Sequence, residues 1–183
     1  MATRGVVALD GDCRLNKNLV LMGFMGTGKS RVGALLAARL QMELLDMDAV
    51  IEQRAGKPIT RIFAEEGEPA FRAMERSLVR ELAAQDGRII STGGGIVLNS
   101  DNVRDFAATG FVVCLMASPE TILARVGHET HRPLLAAPDK LGRIRELLDK
   151  RKPFYEAVPS RVVTDGLTAE EVADRVLLLY RQA

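Results

Sequence analysis

The 183 residues are 47% hydrophobic, enough to bury the core of one domain with a small inserted subdomain. Twenty-five Lys and Arg against 24 Asp and Glu leave no basic excess to attract nucleic acid and no acidic tail. The start of the chain carries Arg4, Asp10, Asp12, Arg14 and Lys17 and no apolar run long enough for a signal peptide or a membrane span. Residues 1–17 therefore read as a flexible leader, 18–183 as one domain, and no membrane partner is expected.

The apolar run Leu19-Val20-Leu21-Met22 reads as a buried strand, and Val32, Leu35, Leu36 and Leu40 follow at helical spacing. Residues 43–48 form a second short strand whose final acids, Asp46 and Asp48, sit at alternate positions and are expected to leave the same face. Helical segments then cover about 49–85, broken near Gly56-Lys57-Pro58 and Gly67-Glu68-Pro69. A third strand over 88–92 ends in Gly93-Gly94-Gly95, and a helix over 101–108 leads to a fourth strand that contains Cys114. A thiol there behaves as a small hydrophobe, and Cys13 is distant in sequence, so free thiols in a reducing cytoplasm are preferred to a disulfide. Ser118 and Pro119 supply the N-cap and first residue of another helix. Residues 127–138, rich in His, Gly and Pro, are too polar and broken for an ordinary element. Leu141, Ile144 and Leu148 line the next helix, 160–164 is a fifth strand, and Thr168-Ala169-Glu170-Glu171 is a capping box before a helix facing inward through Val172, Val176 and Leu179. Strands alternating with helices predict a doubly wound, mainly parallel α/β sheet, whose ligands bind outside the carboxyl ends of the strands.

Between the first strand and its helix lies Gly23-Phe24-Met25-Gly26-Thr27-Gly28-Lys29-Ser30, a complete phosphate-binding loop in the context that confirms one. Its glycines let backbone N–H groups turn toward phosphates, and the following helix adds its positive dipole end. The motif places Lys29 on the β/γ-phosphates and Ser30 on Mg²⁺. A glycine-rich turn that only connects strand and helix would not need the Lys-Ser pair. A GTPase should carry Asn-Lys-x-Asp downstream, whereas Asn16-Lys17 precedes the loop. Motor and transporter ATPases are normally larger. The size suits a kinase for a small molecule or nucleoside.

Further motifs follow in order. They are Leu45-Asp46-Met47-Asp48, then Gly67-Glu68-Pro69-Ala70-Phe71-Arg72, Ser91-Thr92-Gly93-Gly94-Gly95, His131-Arg132-Pro133-Leu134-Leu135 and Arg151-Lys152-Pro153-Phe154-Tyr155. With the phosphate loop, this set resembles the shikimate kinase family over about 18–164. The loop alone is unspecific; the ordered set is not. The resemblance implies a P-loop NTPase fold with a five-stranded parallel sheet in the order 2-3-1-4-5. It also implies a shikimate-binding subdomain at 49–81 and a lid at 127–138. The implied reaction moves the γ-phosphoryl of ATP to the 3-hydroxyl of shikimate with Mg²⁺ as cofactor, in a cytoplasmic enzyme expected to be a monomer.

Shikimate carries one carboxylate and three hydroxyls, so one end of its pocket needs fixed cations, and an arginine fork matches a carboxylate. By the resemblance, Arg72 and Arg151 form that clamp, Gly93, Gly94 and Gly95 line the pocket, and Asp48 contacts the reacting hydroxyl as orienting group or base. Asp46 joins Ser30 at the metal. Gly26, Thr27, Gly28, Lys29 and Ser30 hold the phosphates, Arg125 lies on the adenine side, and Arg132 reaches the transferring phosphoryl group from the lid. The helix pattern alone permits Arg72 to be an exposed charge among Glu68, Glu75 and Arg76, Arg151 to be a solvated helix end, and either Asp to be a helix cap. The segment Asp165-Gly166-Leu167-Thr168 departs from the basic residues that some family members carry near the adenine. A gluconate-type kinase would share the architecture without requiring Arg72, Gly94 and Arg151. A binding module that kept the fold should have lost Lys29, Asp48 or Arg132, and all three are present.

Overall fold

Strand β1 (Leu19–Gly23) is buried along its whole length because both of its faces are covered. Leu19 and Leu21 point to one side, where they pack with Val32 and Leu36 of helix α1 (Lys29–Leu40) and Val172 and Val176 of helix α8 (Ala169–Arg181). Val20 and Met22 point to the other, toward a core that includes Ile51, Leu78, Phe106 and Ile144. A strand covered on both faces has no solvent face to encode, which is why its sequence is a continuous apolar run. The computed structural model describes residues 17–127 and 138–183.

Strands β2 (Glu43–Asp46), β3 (Arg88–Ser91), β4 (Phe111–Met116) and β5 (Ser160–Val163) join β1 in a parallel sheet of order β2-β3-β1-β4-β5, the order that the family resemblance implies. The second core layer comes from α2 (Met47–Ala55), α3 (Ile59–Glu65), α4 (Gly67–Ala83), α5 (Ser100–Thr109), α6 (Pro119–Val126) and α7 (Lys140–Glu156). The helical excursion between β2 and β3 therefore spans 47–83. Cys114 is buried in β4, and burial pushes its thiol up to about 12, which leaves it unreactive near neutral pH.

Local chemistry ends these elements where expected. The Ser118 hydroxyl accepts from Thr121 N–H at the start of α6, and Thr168 and Glu171 form the reciprocal capping box of α8. Asp48 departs from the sequence reading, and Arg151 loses the solvated alternative that the helix pattern left open. Strand β2 stops at Asp46, whose Oδ1 accepts from the N–H groups of Asp48 and Ala49; that cap turns the chain into α2 and puts Asp48 in a helical first turn rather than on the strand. In α7 the most buried apolar positions are Ile144, Leu147 and Tyr155, and Arg151 lies among them at 8% exposure, so it is not a solvated helix end. A short 3₁₀ turn, Ile96–Leu98, follows the glycine triplet; nothing in its apolar composition distinguished it from a loop.

At the opposite end of the sheet, Asn18 is buried and its side chain is a three-way tie. Nδ2 donates to the carbonyls of Leu82 and Gln85, and Oδ1 accepts from Arg88 N–H. The end of α4 and the start of β3 are thus fixed beside β1, which sets the height at which β3 delivers its glycines.

Candidate active site

The phosphate loop leaves β1 at Gly23 and closes on α1 through Gly28, the N-cap, which adopts a left-handed φ of 97° that a side chain would resist. Thr27 is buried and its hydroxyl donates to the Phe24 carbonyl across the turn. The Lys29 ammonium folds back over the loop, donating to the carbonyls of Gly23 at 2.8 Å and Phe24 at 3.0 Å. It is thereby held as a fixed positive charge at the floor of a cavity of about 1140 Å³. That cavity lies at the carboxyl ends of the strands and is also lined by Ser30, Asp46, Asp48, Gly94 and Arg125.

Asp46 divides its carboxylate between two tasks. Oδ1 caps α2, and Oδ2 accepts from the Ser30 hydroxyl at 3.4 Å. Two hard oxygen donors of separate elements thus converge beside the loop. Asp48 follows on α2 and approaches β3's glycines: a Cβ placed on Gly93 would lie 2.7 Å from Asp48 Oδ1 and 3.0 Å from Glu75 Oε1. A side chain there would have to displace the Asp48 carboxylate and crowd that of Glu75, so glycine serves close approach here rather than a turn.

Glu75 was not singled out as functional in the sequence, yet it is only 1% exposed and pairs with Arg72 through Oε2. Burial pushes its carboxyl above the ordinary value; the Arg72 guanidinium opposes this, and Asp48 and Glu68 add to it. Arg72 has Glu68 on its Nε and Nη2 edge and Glu75 on Nη1. Burial alone would lower the guanidinium pKa, but these carboxylates offset it and the net direction is up. Both pairs are one helical turn apart on α4, spacing visible in the sequence as i,i+4 and i,i+3. What the sequence could not say is that Glu75 faces inward and Glu68 outward.

The main chain of Gly94 and Gly95 runs between the two arginines. Arg151 Nη1 donates to the Gly94 carbonyl at 3.4 Å, and its guanidinium also stands 5.7 Å from the Phe24 ring centroid. A Cβ on Gly95 would press on the Arg72 guanidinium, 2.5 Å from Nη1. Arg72, Glu75 and Gly95 border a second, smaller cavity of about 430 Å³. The structure thus groups Asp48, Arg72, Arg151 and the glycine triplet around one stretch of backbone, with Asp48 and Gly94 lining the larger cavity, Arg72 and Gly95 the smaller, and Arg151 neither.

Arg125, near the end of α6, donates to the Gly26 carbonyl and to both oxygens of Thr164, tying the phosphate loop to the segment after β5. The acid that breaks the expected basic pattern has a structural partner: Asp165 accepts from the N–H and hydroxyl of Ser118 at the start of α6. Burial works to raise its carboxyl, but hydrogen bonds from Thr121 and Ser118 more than offset this and hold it below the usual range. Thr164, Leu167 and Thr168 line the larger cavity instead. Arg132 and most of the expected lid lie outside the described residues.

Comparison with known proteins bears directly on this arrangement. The family model for shikimate kinase matches residues 25–180. The chain belongs to the shikimate kinase family. A shikimate kinase of Thermodesulfovibrio yellowstonii is 42% identical over 166 residues, covering 91% of this chain and 96% of that protein. Among solved structures, shikimate kinase from Acinetobacter baumannii in complex with shikimate superposes with a TM-score of 0.85 at 35% identity, covering 91% of this chain and 93% of that one. A gluconokinase from Sinorhizobium meliloti shares the fold alone, with a TM-score of 0.61 at 19% identity over 91% of this chain and 92% of its own. The match takes in most of the phosphate loop, strands β2 to β5 and the helices that carry Asp48, Arg72 and Arg151. No helix among the described residues is long and apolar enough to cross a membrane.

Proposed function

We infer that the protein is an ATP-dependent shikimate kinase, which transfers the γ-phosphoryl group to the 3-hydroxyl of shikimate and releases ADP and shikimate 3-phosphate. The observation that carries this reading is the backbone of Gly94 and Gly95 held between two arginines, beside a phosphate loop and within reach of Asp48. A ring acid offers the same polarity: a carboxylate for the arginines at one end and hydroxyls for Asp48 at the other.

In this reading the loop's backbone N–H groups and Lys29 hold the phosphates, and Arg125 borders the adenine. Arg72 and Arg151 hold the substrate carboxylate, while Asp48 orients the acceptor hydroxyl and takes its proton late in transfer. Ser30 and Asp46 fit Mg²⁺, because both offer oxygen and face each other across 3.4 Å. When bound, that ion neutralises developing charge on the phosphate oxygens. The helices at 49–81 serve as the shikimate-binding subdomain.

A coupled assay of ADP release tests the reading, with shikimate and gluconate as alternative acceptors and with excess chelator as control. Turnover with shikimate that stops in chelator is the expected result. Preference for gluconate, or full rates in chelator, would overturn it. Binding and chemistry also separate at the clamp. Arg72→Ala should raise the KM for shikimate about 10- to 100-fold, the loss of one charge-assisted pair, and leave the KM for ATP near wild type. A change confined to kcat would remove Arg72 from the clamp.

A further inference from the structure

Tyr155 has no part in the chemistry described so far, yet its contacts reach the middle of it. Its ring is buried in α7 at 3% exposure, one turn beyond Arg151, and its hydroxyl donates to the Gly94 carbonyl at 2.6 Å. This is a shorter contact than the 3.4 Å bond that Arg151 makes to the same oxygen. A peptide unit is planar and trans, so fixing a carbonyl also fixes the N–H on the other side of the same plane. The N–H opposite the Gly94 carbonyl belongs to Gly95, where an added Cβ would meet the Arg72 guanidinium. Among the described residues no backbone carbonyl takes the Gly95 N–H.

We propose that Tyr155 is a positioning residue for the substrate carboxylate: by holding the Gly94 carbonyl it turns the Gly95 N–H toward the side occupied by Arg72, where it completes the anion-binding set. Glycines 94 and 95 have no side chains to fix that peptide plane, and two adjacent glycines are free to rotate it. From α7 the phenol adds the shorter of the two hydrogen bonds that constrain it. Burial also pushes the hydroxyl up to about 12, so it remains a proton donor throughout the working range of pH. The proposal rests on the shikimate kinase reading, since it assumes a carboxylate on the acceptor.

The test is Tyr155→Phe, which keeps the ring and its packing and deletes one hydroxyl. The KM for shikimate is expected to rise about 3- to 10-fold, the size of one hydrogen bond, with kcat and the KM for ATP within about twofold of wild type. The second arm uses the carboxamide of shikimate as acceptor. Because that substrate offers no anion, the variant and the wild type should differ less on it than on shikimate. A merely structural tyrosine would lower the melting temperature and leave the KM for shikimate unchanged, and that outcome overturns the proposal. An equal penalty on shikimate and on its carboxamide overturns it too. If the wild-type enzyme fails to phosphorylate shikimate, the functional reading falls and takes this one with it; normal wild-type turnover with an unaltered variant KM sinks the positioning role alone.

Discussion

Lys29→Ala is expected to lower kcat by about 10²- to 10³-fold while the protein still folds. The ammonium bonds two loop carbonyls, those of Gly23 and Phe24, and lines an open cavity; when it is removed the Phe24 oxygen still accepts from the Thr27 hydroxyl. Stability should therefore change little. Phosphoryl transfer depends on fixed charge more than on covalent help, and negative charge shifts within the phosphate chain as the bond breaks. A cation already anchored by the main chain meets that change without reorganising, which is where its catalytic value lies. Paired measurements of kcat and of the thermal midpoint check this. A kcat within threefold of wild type would mean that the loop's N–H groups suffice, and that Lys29 serves binding alone.

The other large effect is expected at Asp48. Asp48→Asn keeps the shape and part of the hydrogen bonding but cannot accept a proton, and kcat should fall about 10²-fold or more. The location of Asp48 adds a second expectation. Its Oδ1 and Glu75 Oε1 approach the same point over Gly93, and the Asp48 charge contributes to pushing the Glu75 carboxyl upward. Replacing one of two neighbouring carboxylates with a neutral amide relieves that repulsion. The variant should consequently be at least as stable as the wild type in urea, even as it loses activity. Loss of activity together with a large loss of stability would point to a structural acid. Near-full kcat and shikimate affinity would remove Asp48 from the chemistry altogether.

Much of this architecture is written in local sequence. Apolar runs of four to six residues mark strands covered on both faces, and Ser118, Pro119 and the Thr168–Glu171 box mark helix starts because capping is a short-range event. The phosphate loop is legible for the same reason: its chemistry is contained in consecutive residues. Asp48 shows the limit. Alternation placed it on a strand, but the Asp46 side chain competes for the backbone N–H groups and starts a helix two residues earlier. Arg151 shows another limit: the helix pattern of Lys150-Arg151-Lys152 alone leaves a solvated basic run open, and it is packing in α7 that turns the middle residue into the core. The Glu75–Arg72 spacing is local, but that Glu75 faces β3's glycines, and that Tyr155 bonds Gly94, depends on contact with a different element. Long-range placement of that kind follows from packing, not from periodicity.

Asp46 has a consequence for how the two substrates affect one another. One oxygen of this carboxylate faces Ser30 on the nucleotide side, while the other anchors the helical turn from which Asp48 projects. Anything that draws on the first oxygen acts on a group whose second oxygen fixes the acceptor side, so the two halves of the site share a lever arm a few atoms long. By thermodynamic reciprocity, whatever factor a bound nucleotide applies to acceptor affinity, the acceptor must return to the nucleotide. The cooperativity of the two ligands would then reside in a single side chain at a helix start, with no domain rearrangement needed to carry it.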